Sequence, residues 1–231
     1  MITLEQLPLN IQLRDEALFS NFFIGKNKLV IEALTLFSKI NQESFIYCYG
    51  KNGVGKSHLL QACCHLAFEN KRNAFYLSLE NFSELSSTIL TDLESYDLVC
   101  IDDLDLITNN QSWEEALFHF YNRARDNKIN LLVSAQNPPQ QLSCILPDLQ
   151  SRLTSGLILE IQNLSDDEKI QALKMRASNR GLFLSDDVAH YLLNRFSRNM
   201  RDLFSVLEKC DRASLAAKRK LTIPFVKSLD F

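Results

Sequence analysis

The sequence predicts a doubly wound α/β domain with a parallel central sheet, followed by a small all-helical domain. Three observations carry that expectation. Five apolar, strand-like runs, near 45–49, 74–79, 97–102, 129–135 and 157–161, alternate with segments of helical length. A complete Gly-x-x-x-x-Gly-Lys-Ser stretch joins the first run to a helical segment. After about residue 162 the strand runs cease, and only amphipathic helical stretches follow.

Composition narrows the function classes. A chain of 231 residues suits one large domain with a small appendage. A fold of that size buries roughly 70% of its unfolded surface and needs no staples. Hydrophobic residues make up 46% and charged residues 23%, as in ordinary globular proteins. A net charge of −3 argues against a broad electrostatic footprint for DNA. No apolar run approaches the ~20 residues of a membrane span. The front end lacks a basic and then apolar leader, so no secretory signal is expected. Cys48, Cys63, Cys64 and Cys100 lie in apolar segments, where a reduced cysteine behaves as a small hydrophobe. The run Cys63-Cys64-His65 invites a zinc reading, but adjacent helical positions fan apart and no Cys-x-x-Cys partner exists. A reducing cytoplasm is the expected setting.

Taken in order, the chain opens on "QLPLNIQL", residues 6–13, where apolar residues at 7, 9, 11 and 13 alternate with period two. Pro8 deletes one ladder donor, which confines such a strand to a sheet edge. The segment pairs either with its own sheet or with another protein. "FIYCY" at 45–49 is the first central strand, and "SHLLQACCHLAFEN" the helix after the loop. Between them Gly50, Asn52, Gly53, Val54, Gly55, Lys56 and Ser57 belong to a loop that cradles a phosphate chain with its N–H groups. Lys56 would reach the β- and γ-phosphates, and the Ser57 hydroxyl would hold Mg²⁺. His58 follows at the helix start as a further nucleotide contact. A strand, "NAFYLSL" at 73–79, and a helix around 82–92 come next.

"YDLVCIDDLD" at 96–105 is a buried-strand run ending in two carboxylates. Beside a phosphate loop, Asp102 would bind Mg²⁺ through its shell, and Asp103 would orient or polarise an attacking water. The alternative is a pair of solubilising caps. "WEEALFHFYNRARDN" at 113–127 reads as a helix and "INLLVSA" at 129–135 as a strand. "NLSDDEKIQALKMRASNRG" opens with a capping box, Ser165 to Glu168, and closes at Gly181. "SDDVAHYLLNRF" and "NMRDLFSVLEKCDRASLAAK" supply two more amphipathic helices.

A phosphate-loop α/β module, a paired-Asp strand end and a helical lid resemble the AAA+ superfamily. Within it, the run of boxes is similar to the family of the bacterial replication initiator DnaA, and closest to its Hda-type branch. "FSNFFIGKN" at 19–27 resembles the family's N-terminal nucleotide-pocket segment, which implies that Phe22, Phe23 and Ile24 border the adenine. "LFHFYNRARDN" resembles the Phe-His-x-x-Asn helix, and "LPDLQSRL" at 146–153 the arginine-finger box. By that resemblance Arg152 is a finger acting in trans on a neighbour's γ-phosphate. Arg201, in "NMRDL", is the lid arginine that contacts the chain's own nucleotide. Gln6, Leu7, Leu9 and Ile11 resemble the peptide that binds the sliding clamp, the β subunit of DNA polymerase III.

The resemblance implies residues 1–14 as an extended clamp-binding segment, 15–162 as the AAA+ α/β domain and 163–231 as the lid. ADP, or ATP, with Mg²⁺ is the implied cofactor, and a homo-oligomer, a dimer, the implied assembly. The implied function is negative regulation of replication initiation: bound to the DNA-loaded clamp, the protein stimulates ATP hydrolysis by ATP-bound DnaA, with weak or no turnover of its own. The alternative is an autonomous AAA+ ATPase of helicase-loader or initiator type. Two departures stand out. Gln136, in "VSAQNPP", occupies the place of an acidic sensor residue and cannot act as a base. No helix-turn-helix segment follows the lid, so sequence-specific DNA binding is not expected.

Overall fold

The structure, a computed structural model, describes residues 13–40 and 45–229. The proposed clamp-binding residues Gln6, Leu7, Leu9 and Ile11 lie outside them. Helix α1 (Lys28–Lys39) precedes strand β1 (Phe45–Tyr49), helix α2 (Lys56–Glu69), strand β2 (Ala74–Ser78) and strand β3 (Leu98–Asp102). Helix α3 (Gln111–Asp126), β4 (Asn130–Ala135), α4 (Pro147–Leu153) and β5 (Leu157–Glu160) complete the α/β part. The five strands run parallel in the order β2-β3-β4-β1-β5.

Alternation within each strand explains why both faces are covered. Phe45 and Tyr47 of β1 join Val99, Ile101, Leu131 and Val133 in a core completed by Leu117 and Phe120 of α3. Ile46 and Cys48 point the other way and pack with Cys100, Leu132 and the α2 residues Leu59, Leu60, Cys63 and Cys64. Strands buried on both sides are a hallmark of parallel sheets sandwiched by helices. Cys48, Cys63, Cys64 and Cys100 sit in that second core as free thiols, and burial pushes the Cys48 thiol up to about 12.

The helix expected around 82–92 is absent. Two short 3-10 turns, Phe82–Glu84 and Ser87–Leu90, stand in its place. The Ser86 side chain accepts from the Thr88 N–H and from its hydroxyl, and Thr91 donates back to the Thr88 carbonyl. Such short polar side chains compete with helical backbone bonds. Helix α4 carries the arginine-finger box, and a final short helix, α8 (Ile223–Lys227), closes the described residues.

The lid consists of α5 (Asp166–Asn179), α6 (Asp186–Arg195), α7 (Met200–Ala217) and α8. The capping box is complete: Ser165 accepts from the Glu168 N–H, and the Glu168 carboxylate accepts from the Ser165 N–H at 2.7 Å. Leu173, Leu192, Leu203 and Leu207 form its own buried core. Among the described residues, no helix is long and apolar enough to cross a membrane.

Candidate nucleotide site

A cleft of about 1550 Å³ opens where the sheet meets the lid, beyond the carboxyl ends of β1, β2 and β3. This is where doubly wound sheets place ligands. The loop after β1 forms its floor. Gly53 and Gly55 hold φ values of +82° and +101°, which cost an L side chain but not glycine. A Cβ on Gly55 would also come within 2.6 Å of the Phe22 ring. Lys56 is 5% exposed, and its ammonium donates to the Gly50 carbonyl at 2.9 Å and the Lys51 carbonyl at 3.5 Å. With three protons available, one remains for a phosphate oxygen. Asn52, Val54, Ser57 and His58 line the same cleft.

His58 ties this floor to the segment 18–23. Its Nε2 donates to the Leu18 carbonyl at 2.8 Å, and its ring centroid lies 5.6 Å from that of Phe22. Burial holds the His58 pKa below its ordinary value, so near neutral pH the ring is uncharged. Phe22 and Phe23 line the cleft. Ile24 does not: it is 46% exposed and outside the lining, because the chain turns at Gly25 (φ +48°).

Asp102 closes β3 at 1% exposure. One of its oxygens accepts from the Tyr76 hydroxyl at 2.9 Å and the other from the Ser134 hydroxyl. Ser134 in turn accepts from the Asp103 N–H at 3.2 Å. Partial burial, then the neighbouring Asp102 charge, push the Asp103 carboxyl up to about 6, although Lys56 pulls the other way. Gln136 lines the cleft and donates its N–H to Asp105 at 2.9 Å. A positive-φ glycine cradle, the Lys56 cation, the Ser57 hydroxyl and the Asp102 carboxylate together fit a nucleoside phosphate with its Mg²⁺.

The lid supplies the opposite wall. Asn199 caps α7, and its Nδ2 donates to the Asn52 carbonyl at 3.4 Å. Arg201, in the first turn of α7, lines the cleft with its guanidinium 3.5 Å from Glu80, which follows β2. Glu16 pairs with Arg176 and Arg180 of the lid, and Asn179 donates to Asn21 at 3.0 Å. Arg152 stands apart. It is half-buried on α4, outside the cleft lining, and among the described residues no ion pair or hydrogen bond engages its guanidinium.

Sequence reasoning missed Tyr76, Ser134, Asn199 and Glu16. Each is an unremarkable residue until the topology brings it to a motif. β2 and β4 flank β3, so Tyr76 and Ser134 reach Asp102 from either side.

Residues 13–160 match the bacterial DnaA ATPase domain. The chain belongs to the DnaA-related AAA+ family. Residues 166–229 match the Hda lid domain. An uncharacterised protein from Haemophilus influenzae is 42% identical over 226 residues, covering 97% of this chain and 98% of that protein. Domain III of the replication initiation protein DnaA from Thermotoga maritima shares the fold with a TM-score of 0.83 at 20% identity, covering 93% of this chain and 95% of that one. DnaA from Aquifex aeolicus, bound to AMPPCP, has a TM-score of 0.74 at 24% identity, over 86% of this chain and 66% of that one.

Proposed function

We propose that this protein is an Hda-type regulator of replication initiation, which binds ADP or ATP in its own cleft and stimulates ATP hydrolysis by ATP-bound DnaA. In that role Lys56, with the loop N–H groups from Gly50 to Ser57, binds the phosphates, and Ser57 and Asp102 hold Mg²⁺. Phe22 and Phe23 border the base, and Arg201 reaches the phosphates by leaving Glu80. The bound metal would neutralise phosphate charge. Residues 6–11 would anchor the protein to the sliding clamp, and a homodimer is the proposed resting assembly.

One observation carries the reading. The chain has two family arginines, and only Arg201 faces its own cleft. Arg152 sits on α4 outside the lining with its guanidinium unengaged among the described residues, suited to a γ-phosphate held by another molecule. A finger of this kind contributes on the order of 10³–10⁵ in rate. The test is single-turnover hydrolysis by ATP-loaded initiator with clamp on DNA. Arg152→Ala should still bind nucleotide and clamp but fail to stimulate. Lys at this position should rescue poorly, lacking the two-pronged donor geometry. Equal stimulation by wild type and Arg152→Ala would remove Arg152 from the mechanism.

A second reading, an autonomous ATPase, draws on Asp103, whose carboxyl near pH 6 lies beside Lys56 and could take a proton from water. It requires turnover without initiator, lowered by Arg152→Ala in the protein's own oligomer.

A further inference from the structure

We infer that Glu114 is a positioning residue for Arg152: its carboxylate pins the segment that launches α4 and so sets where the guanidinium stands. The inference rests on the proposal that Arg152 acts on the initiator's nucleotide.

Glu114 lies in the first turn of α3 and is 1% exposed. A carboxylate taken out of water must find donors or a cation. Glu114 finds three backbone N–H groups from two different loops. Oε1 accepts from Asn109 at 2.8 Å and Ile145 at 3.1 Å, and Oε2 accepts from Leu146 at 2.8 Å. Leu146 is the residue that caps α4, and it has no side-chain acceptor of its own for the task. Pro147, next in line, has no N–H to offer.

The rest of α4 is fixed as firmly. A helix of seven residues has little stability in isolation. Leu149 and Leu153 are buried in the main core. The Gln150 amide donates to the Leu142 carbonyl at 3.1 Å and the Pro139 carbonyl at 3.4 Å. Tyr121, also on α3, shares a hydrogen bond of 2.9 Å with Ser155 just past the helix. Start, middle and end are therefore anchored by groups outside the helix, while the Arg152 head is unengaged among the described residues. A finger is effective only when its base is held, since a shift of about 1 Å can cost on the order of 10²-fold in rate.

Glu114→Gln is nearly isosteric. Its amide oxygen can keep Asn109 and Ile145, but the NH₂ group then faces the Leu146 N–H. Single-turnover hydrolysis by ATP-loaded initiator, with clamp on DNA, is measured with wild type, Glu114→Gln, Arg152→Ala and the double variant. Nucleotide affinity and amide hydrogen exchange are followed in parallel. The expected result is a loss of stimulation of about tenfold for Glu114→Gln, no added loss in the Arg152→Ala background, unchanged nucleotide affinity and faster exchange confined to residues 143–155. Undiminished stimulation by Glu114→Gln, or losses that multiply in the double variant, would overturn the inference. Full stimulation by Arg152→Ala would overturn the finger reading itself and this inference with it, a pattern distinct from multiplying losses. Should Glu114→Gln melt early, Glu114→Asp, which keeps the charge but shortens the reach, is put through the same cycle.

Discussion

Asn199 of the lid stands directly against Gly53 of the phosphate loop: a Cβ on Gly53 would fall 2.2 Å from the Asn199 Oδ1. That oxygen already accepts from the Arg201 N–H at 2.8 Å, closing the first turn of α7. A methyl group at Gly53 therefore has two costs. The backbone, at φ +82°, is strained by about 1–2 kcal/mol. The displaced asparagine then uncaps the lid helix, at about 1 kcal/mol. Gly53→Ala should lower nucleotide affinity at least tenfold by calorimetry, a factor worth about 1.4 kcal/mol. Adding Asn199→Ala should recover part of the loss, because the collision goes while the strain remains. Wild-type affinity in the single variant would mean that this loop does not hold the phosphates.

Lys56 offers a simpler test. Among the described residues its ammonium donates hydrogen bonds to carbonyls of its own loop, at Gly50 and Lys51, so few other groups depend on it. Lys56→Ala should abolish measurable ADP or ATP binding in a calorimeter while the melting temperature moves by a few degrees at most. Unchanged affinity would exclude the phosphate role.

Asp103 gives a pH signature. Its carboxyl, raised from the usual 3.8 to about 6, holds its proton more tightly folded than unfolded. Between about pH 4 and 6 the native state thus binds more protons, and stability falls as pH rises through that window. Above it the ionised group is a standing cost of about 1–2 kcal/mol, allowing for partial exposure. Asp103→Asn should melt higher than wild type at pH 7, in chelator and without nucleotide. The gap should close by about pH 4. A gap that widened on acidification would reverse the assignment.

The proposed tether is tested outside the cleft altogether. Replacing Gln6 and Leu9 together by Ala should abolish capture by immobilised clamp and leave nucleotide affinity and melting temperature nearly intact. A variant that still binds clamp yet melts much lower would identify residues 6–11 as an edge strand of the chain's own sheet.

Much of this molecule was legible in the order of its residues. All five strands were, because each is a short apolar run with turns on both sides, and the lid's first helix announced itself through Ser165 and Glu168. The segment 82–92 was not. Its apolar residues suggested a helix, but Ser86, Thr88 and Thr91 bond to one another and to local backbone, and that competition is invisible to a hydrophobic pattern. In the cleft, contiguous motifs could be read directly: the glycine loop, Lys56, Ser57 and Asp102. Their partners could not. Tyr76 and Ser134 meet at Asp102 only because β2 and β4 flank β3. Asn199 and Glu80 enter through the packing of the lid, and Ile24 left the lining because of a turn one residue later. Glu114 reads as one more helix residue, yet donors from the turn before α3 and from the distant start of α4 make it an anchor.

Glu16 has a mechanical consequence. The covalent path into the lid crosses at Gln162–Ser165, where the Asn27 side-chain amide donates to the Gln162 carbonyl and accepts from its N–H. A second fastening lies at Glu16, gripped by Arg176 and Arg180. The backbone of Arg14, two residues before it, is held to Gln61 and His65 of α2. A body attached at one point can swivel about every axis, but one attached at two can turn only about the line joining them. With Asn179 bonded to Asn21 beside it, the Glu16 fastening and the chain crossing define a line, and a swing of the lid about it would part Asn199 from Asn52 and Arg201 from Glu80 while leaving both fastenings intact.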